Sequence, residues 1–558
     1  MLSLGINYSQ THDSSACITR DGEILFAVAE ERLSRVKHDS RFPHLAIRAC
    51  LEFAGVKASD FDFVCFAWPR VGIGTRHDIK CMLTGAHPVD YVSIASLLKR
   101  YASLSRQGDG EKPFLSAFGP TRAKFRFVEH HLAHAISAYA YSGFDDAAVL
   151  VIDGRGAWEA TSLWRGRGGT LEPVWTIPWP NSLGLFYAQF TYYLGFTPYS
   201  DEWKVMGLAP YGEPGVDLRE FLNPETEPYR VASRLLMGRN SSAAAYMEAR
   251  LGPRRAPESE IEPRHKNIAF AVQDFCETAM LRLARAAVDQ TGSRNLCLAG
   301  GVALNSKANG KILSTGAVDR IFIQPAAGDD GGCLGAALAP YLESGGKLPV
   351  RAMRHAYFGP QSSDAEIETA LATFKIRHMR IDDPAKTAAA LIASGKIIGW
   401  FQGRMEFGPR ALGSRSILAD PRDPEMTIKV NNAVKFREWW RPFAPSVLRE
   451  AAAEYIESAT DSPFMILTAQ VRPEKRSVIP AVTHVDGSAR PQTVEREINP
   501  LYWRLIRSFG DLTGVPVVMN TSFNLRGEPI VATPADAIRT FYSSGMDALV
   551  IGSYLVEK

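Results

Sequence analysis

The chain opens with apolar positions grouped as short strands. In LGINYSQTHDSSACITRDGEILFAVAEE two strands meet at Asp21-Gly22, a dipeptide suited to a tight hairpin because both residues tolerate positive φ. The same order of events restarts near Ala147. There, AAVLVIDGRGAWEATSLWRGRGG has a buried apolar run ending in Asp-Gly-x-Gly, then a second strand and a glycine-rich turn. Two such units predict a duplicated α/β architecture that clasps a nucleotide between its lobes. From Asn267 to Gln290 the apolar spacing predicts a long amphipathic helix, followed by a short strand, NLCLAGGVALN, that breaks into glycines. The stretch Leu348 to Gln361 loses periodicity and marks a domain boundary; beyond it GKIIGWFQGR and VPVVMNTSFN read as strands of a second α/β unit. Patterning is poor from Gly72 to Lys112 and from Pro214 to His265, which reads either as insertions near a substrate entrance or as irregular connections.

A chain of 558 residues exceeds one ordinary core, so at least two domains are expected. Lys+Arg 63 against Asp+Glu 60 leaves a formal charge of +3, so a whole-protein field toward nucleic acid is excluded and anion binding has to come from a local cluster. No basic segment leads into a long apolar run at the N-terminus and no stretch reaches a bilayer span, so a cytoplasmic protein with no membrane association is expected. Cys17, Cys50, Cys65, Cys81, Cys276, Cys297 and Cys333 are scattered without a C-x-x-C pair, which argues against a thiolate metal site or a disulfide framework.

His130 and His134 in EHHLAHA are four apart in a segment of helical character, so both imidazoles project from one face, while His131 points elsewhere. This is a metal-ligand spacing, and equally one at which packed histidines occur. Asp153 ends VLVID and Asp329 lies in AAGDDGG, another strand-loop-helix junction. Two imidazoles with two carboxylates suit Fe(II), Mn(II) or Zn(II); each Asp alone also suits a helix cap or turn. In LAGGVALNSK, Gly300, Gly301 and Asn305 fit a nucleotide-binding turn or a plain tight turn.

Toward the C-terminus EFGPRALGSR holds Arg410 and Arg415 around a Gly-Pro turn, and VKFREWWRPF sets Lys435, Arg437 and Arg441 among Trp439, Trp440 and Phe443. Cations interleaved with aromatics form either a solvated basic face or a pocket for an anion, and the near-neutral total charge favours a pocket. VPVVMNTSFNLRGE runs a strand into Asn520, Thr521, Ser522, Asn524, Arg526 and Gly527, uncharged donors beside a guanidinium.

Taken together, HDSSAC, EERLSRVKH, HHLAHA, the Asp-Gly-x-Gly at Asp153, EWKVMGLAPYG, GGVALNSK, GDDGGCLGAA, FGPRALGSRSIL, VKFREWWRPFAP and NTSFNLRGEP resemble, in order and over nearly the whole chain, the family of nodulation-factor and antibiotic O-carbamoyltransferases. The resemblance implies an α/β protein with two domains. Residues 1–352 would form a duplicated, ribonuclease-H-like domain of the actin and hexokinase superfamily, and residues 353–558 a YrdC-like α/β domain. It implies that carbamoyl phosphate and ATP, the latter with Mg2+, give carbamoyl-adenylate in the C-terminal domain, around Arg410, Lys435, Arg441, Arg490, Asn520 and Arg526. Transfer to a hydroxyl of a small molecule would follow in the N-terminal domain, beside a metal on His130, His134, Asp153 and Asp329, with Fe(II) ahead of Mn(II) or Zn(II). His12 is the expected general base and Lys37 the stabiliser of developing negative charge. No nucleic acid partner is implied, and a homodimer is admitted. The family usually has an acidic residue where this chain has Ala157, with Glu159 two positions later. A tRNA-threonylcarbamoylating enzyme and an inactive nucleotide-binding scaffold are the other readings.

Overall fold

The computed structural model describes residues 1–10, 12–70, 110–236, 241–343, 345–457 and 461–558. Most of the poorly patterned stretch after Gly72, with Cys81, lies outside them. Two compact units result: one of Met1–Ala27 and Ser40–Met353, the other of Val28–Asp39 and Arg354–Lys558. The second includes the single-turn helix α1 (Glu30–Ser34), a segment that sequence reading assigned to the N-terminal domain.

The first unit is built on two five-stranded sheets of the same topology. In one, β1 (Leu2–Asn7) is central, flanked by the hairpin of β2 (Ser15–Arg20) and β3 (Glu23–Ala29) and, on its other edge, by β4 (Phe63–Phe66) and β5 (Lys124–Phe127). β1 runs antiparallel to β2 and parallel to β4, and β4 is parallel to β5. The second sheet repeats the scheme with β6 (Asp146–Ile152) central, β7 (Glu159–Arg167) and β8 (Thr170–Pro178) on one side, β11 (Asn295–Ala299) and β12 (Arg320–Ile323) on the other. A short ribbon of β9 (Leu222–Asn223) and β10 (Arg230–Val231) intervenes in the chain. The unit therefore carries one five-stranded topology twice, as the paired strand-turn-strand segments predict. The two hairpins use one device. Asp21 and Gly22 have φ 50° and 79°, and Gly168 and Gly169 have φ 55° and 83°, the positive values that match a two-residue turn to strand twist.

Helices cover these sheets: α2 (His44–Ala54), α3 (His130–Tyr139), α4 (Pro263–Thr291), α5 (Ser306–Ser314) and α6 (Gly332–Glu343). The expected amphipathic helix is α4. Proline stands in its first turn, where the missing N–H is harmless, and Gly292 closes it at φ 72°. The closest approach joins α3 to α6. A Cβ on Gly335 would fall 1.7 Å from the Ala133 carbonyl oxygen, so only glycine lets these helices touch. Buried Gln324, just past β12, donates to Ser137 O at 2.8 Å and pins the same helix.

The second unit is one mixed sheet in the order β13 (Met379–Arg380), β22 (Tyr554–Glu557), β21 (Ala548–Ile551), β14 (Ile398–Phe401), β15 (Arg415–Ala419), β20 (Val517–Ser522), β16 (Ala444–Leu448), β19 (Gln492–Val494); a ribbon of β17 (Ala469–Gln470) and β18 (Ser488–Ala489) stands apart. Strand side chains alternate between two cores. Phe401, Ile417, Val517 and Leu549 face one, where helix α9 (Pro534–Tyr542) packs through Ala537, Ile538 and Phe541. Trp400, Leu418, Val518 and Val550 face the other, covered by α7 (Pro384–Ala393) and α8 (Pro500–Thr513). Among the described residues no helix is long and apolar enough to cross a membrane, and the six described cysteines are free and buried.

Candidate active site

In the first unit His130, His134, Asp153 and Asp329 converge, each offering a ligand atom within 4.8 Å of the others. The fold brings them from strand ends. His130 follows β5, Asp153 follows β6, and Asp329 lies beyond β12 at the turn into α6. Carboxyl ends of strands in a layered α/β unit are where ligands sit. His130 Nε2 lies 3.2 Å from Asp153 Oδ2, 3.5 Å from Asp329 Oδ1 and 3.1 Å from His134 Nε2; His134 Nε2 is 3.8 Å from Asp329 Oδ1. Both histidines are fully buried.

This donor set fits a divalent ion. His130 Nδ1 faces the Ala67 carbonyl at 3.3 Å, which makes that nitrogen the N–H donor and leaves the Nε2 lone pair pointing inward. Lone pairs and carboxylates at these distances repel unless positive charge lies among them. With no metal a proton serves: burial opposes it, but Asp329 and Asp153 draw His130 up to about 10, and the imidazoles hold Asp153 below its usual range despite burial. Two nitrogens with two carboxylate oxygens are a donor set that Fe(II), Mn(II) and Zn(II) share. Outer contacts fix the ligands. Gly301 N–H donates to Asp153 Oδ1 at 3.0 Å, and Gly300, at φ 90° with room for no Cβ beside Ile152 O, shapes that approach. Trp68 stacks on His130 at 3.9 Å between centroids and donates from Nε1 to Asn7 Oδ1 at 3.0 Å. Trp68 and Asn7 were not singled out by sequence reading; the signal available was a polar residue ending the apolar strand LGIN.

Other expected residues have definite places. Asn305 caps α5, accepting from Ala308 N at 3.1 Å, and its amide pairs with Gln273 at 3.0 and 3.1 Å, so its side chain is engaged within the fold. His12 Nδ1 is 2.7 Å from Asp13 Oδ2 and Nε2 is 3.0 Å from Tyr199 O. Both ring nitrogens thus face acceptors. Although burial opposes charge, Asp13, Asp329 and the Tyr199 carbonyl raise His12 to about 10, so in this arrangement it is a proton donor. Lys37 lies in Val28–Asp39, which packs with the second unit. Beside the buried Ala157, the Glu159 carboxylate is buried and accepts from Trp158 N at 3.0 Å.

In the second unit a group of cations gathers. Lys435 is buried at the end of a turn of π-helix and donates to Ser522 O, to Asn524 O at 3.0 Å and to Asn524 Oδ1 at 2.9 Å. Burial first, then Arg437 and Arg441, push Lys435 well below its ordinary 10.5. Arg437 donates to Asn431 Oδ1 at 2.9 Å and lies 4.1 Å over Phe443. Burial, with Arg410 and Arg441 nearby, lowers Arg490; burial alone lowers Arg410 to about 10. The Glu438 carboxylate lies 3.5 Å from Arg441 Nη1. Arg410 Nε, Arg490 Nε and Arg437 Nη2 are buried without a hydrogen-bond partner. The Arg410 loop is held by Glu406, whose buried Oε1 accepts from the backbone N–H of Leu412 and Ser414, both at 2.7 Å. Asn520 lies alongside: Nδ2 donates to Ala411 O at 3.2 Å, Ser446 Oγ at 3.1 Å and Gln492 Oε1 at 3.3 Å, leaving Oδ1 buried and unpaired. Arg526 is exposed. Arg415 is buried inside the sheet on the carbonyls of Gln402, Gly403, Ser414 and Pro360 and stays a structural cation.

Lys435 makes a prediction on pH. Between its depressed folded value and 10.5 the unfolded chain binds more protons than the folded one, so Lys435 subtracts from stability there and ceases to do so above 10.5. The stability gap between Lys435→Met and the parent is expected to narrow as pH rises from neutrality toward 10.5, at most by about 1.4 kcal/mol per pH unit. Urea melts of both proteins across that range measure it.

Residues 3–338 match the family model for the carbamoyltransferase N-terminus and residues 389–558 that for the carbamoyltransferase C-terminus. Among relatives, the uncharacterized protein sll1178 of Synechocystis sp. is 42% identical, the match spanning 100% of this chain and 96% of that protein. Nodulation protein NolNO of Sinorhizobium fredii is 41% identical over 100% of this chain and 80% of its own length. Of solved structures, component A of the Acidaminococcus fermentans (R)-2-hydroxyglutaryl-CoA dehydratase aligns with a TM-score of 0.35 and 15% identity, over 62% of this chain and 99% of that one. The ROK hexokinase of Thermus thermophilus aligns with a TM-score of 0.30 and 15% identity, over 62% and 100%.

Proposed function

The chain belongs to the carbamoyltransferase family, and on that premise we propose that it is an ATP-dependent O-carbamoyltransferase acting on a hydroxyl of a sugar or secondary metabolite. The observation that carries the reading is the cation group of the second unit. Half-buried guanidiniums, each with one buried and unpaired N–H donor, are unfavourable until an anion arrives, and charge-assisted hydrogen bonds then contribute about 1.5 to 3 kcal/mol each. Phosphate suits Arg410, Arg490 and Lys435. The unpaired Asn520 Oδ1 suits the –NH2 of a carbamoyl group, its orientation set by the three acceptors around Nδ2.

In this proposal water takes the phosphoryl group from carbamoyl phosphate, giving carbamate and inorganic phosphate. A carbamate oxygen then attacks the α-phosphorus of ATP, brought with Mg2+, and pyrophosphate leaves. Arg441 and Arg526 are assigned to the polyphosphate, where charge moves toward the leaving group. The resulting carbamoyl-adenylate is the donor for the first unit, where Gly300, Gly301 and the end of α5 at Asn305 are assigned to the nucleotide. A divalent ion on His130, His134, Asp153 and Asp329, with Fe(II) ahead of Mn(II) or Zn(II), would polarise a phosphoryl or carbonyl oxygen there as a Lewis acid. His12 stays assigned beside the carbamoyl group. Held charged by Asp13, it orients the donor oxygen first, and it accepts the hydroxyl proton only as the neutral imidazole, once the Nε2 proton held by the Tyr199 carbonyl has been released to solvent. Lys37 keeps the role that the family resemblance gives it, a stabiliser of developing negative charge.

Pyrophosphate release from ATP is the test, measured with and without carbamoyl phosphate. Release that depends on carbamoyl phosphate, and falls about a hundred- to a thousandfold in Lys435→Ala, is expected. Release indifferent to carbamoyl phosphate would remove the reading.

A further inference from the structure

We propose that Arg35, helped by Arg32, is a positioning residue for the anion site of the second unit, an inference that rests on reading the cation group as that site. Both arginines come from the Val28–Asp39 segment, far in sequence from every cation they would position. Arg35 closes helix α1 at φ 61°, a left-handed conformation unusual for arginine, and its backbone N–H bonds Glu31 O at 3.0 Å. From there Nη1 donates to Ile530 O at 2.6 Å, Nη2 donates to Pro529 O at 2.7 Å, and Nε lies 3.4 Å from Asp536 Oδ1. Arg32 Nη2 donates to Gly408 O at 3.0 Å, and Leu33 between them packs on Met405, Ala411, Ile530 and Ala532.

These contacts fall on two loops, one that carries Arg410 and one that holds Lys435 through Asn524. Pro529 and Ile530 end the turn that begins at Asn524, whose Nδ2 donates to Glu528 O at 2.6 Å and whose two oxygens hold Lys435. Gly408 stands two residues before Arg410, and Ala411, under Leu33, supplies the carbonyl that orients Asn520. The segment therefore grips the Arg410 loop with one arginine and, with the other, the loop whose Asn524 holds Lys435. A guanidinium fork across two successive carbonyls fixes direction as well as distance, which an ammonium cannot reproduce. Arg35 touches no substrate in this account; it sets the spacing of residues that do.

The test uses the full chain, with Arg35→Ala, Arg35→Lys and, as a control for charge, Arg48→Ala on the exposed face of α2. Binding of inorganic pyrophosphate is followed by calorimetry, and pyrophosphate release is resolved into KM for carbamoyl phosphate and kcat. A displaced loop is expected to weaken binding and raise KM in Arg35→Ala by about ten- to a hundredfold. Little change is expected in kcat at saturation, with Arg35→Lys intermediate and Arg48→Ala like the parent. Parental affinity and KM in Arg35→Ala would overturn the inference. If Arg35→Ala does not fold, Arg35→Lys decides: an affinity equal to the parent's overturns it, a weaker one supports it. A parent that binds pyrophosphate but releases none from ATP would defeat the proposed function and leave Arg35 to be judged on binding. A parent that binds none overturns both.

Discussion

Arg490→Met is expected to be more stable than the parent protein when no anion is present, by about 1 to 4 kcal/mol, and to have lost carbamoyl-phosphate-dependent pyrophosphate release. The guanidinium keeps its proton, so burial beside Arg410 and Arg441 appears as a cost in folding stability. Its Nε has no partner to offset that cost. Methionine fills similar space without charge and removes the repulsion. Loss of a cation from the phosphate site should lower turnover by about a hundred- to a thousandfold. Pyrophosphate should narrow the stability gap, and reverse it where it is below about 2.7 kcal/mol: at a hundred times its dissociation constant pyrophosphate adds about that much to the parent and far less to the variant. Urea denaturation with and without pyrophosphate reads both halves. A variant less stable than the parent under every condition would mean that Arg490 is an ordinary structural cation.

Asp153→Asn should separate the two half-reactions. The amide is isosteric and keeps Oδ1 as an acceptor for Gly301 N–H, so the loop at Gly300 need not move. It replaces the oxygen 3.2 Å from His130 Nε2 with a neutral group and takes one negative charge from the cluster. Metal content after purification is expected to fall at least about ten- to a hundredfold, the range seen when even outer-shell partners of a metal are removed. Adenylate formation, assigned to the other unit, should continue. Elemental analysis and pyrophosphate release from one preparation check this; metal retained at the parent's level, or pyrophosphate release lost with the metal, would speak against the assignment.

How much of this was legible depends on how local each signal is. The hairpins at Asp21-Gly22 and Gly168-Gly169 carry their turn chemistry in two residues, and both formed where that chemistry places them. The spacing of His130 and His134 on α3 also belongs to one helix, and so was visible. Ala67 with Trp68 and the Gly301 N–H come to the same centre from two loops, and no periodicity announces them. Asp153 and Asp329 stood out as acids at strand ends, but their meeting with the histidines depends on how the two sheets of one unit stack. Arg490 was singled out only through resemblance, since its neighbours Ala489 and Pro491 carry no pattern. Glu406 was missed because a glutamate before Phe-Gly-Pro looks like a surface residue until three backbone N–H groups close on its Oε1. Val28–Asp39 lies within the sequence of the first unit yet packs with the second, and this was not legible for a related reason: Leu33 shows that the segment needs a core, but nothing local says that Met405 and Ile530 provide it.

The most direct test of the account is rapid quenching of Asp153→Asn with ATP, Mg2+ and carbamoyl phosphate, followed by mass spectrometry for carbamoyl-adenylate. Carbamoyl-adenylate is expected in amounts matching the pyrophosphate released, and none when carbamoyl phosphate is omitted. Folded protein that binds ATP yet forms neither product, in the variant and in the parent alike, would contradict it.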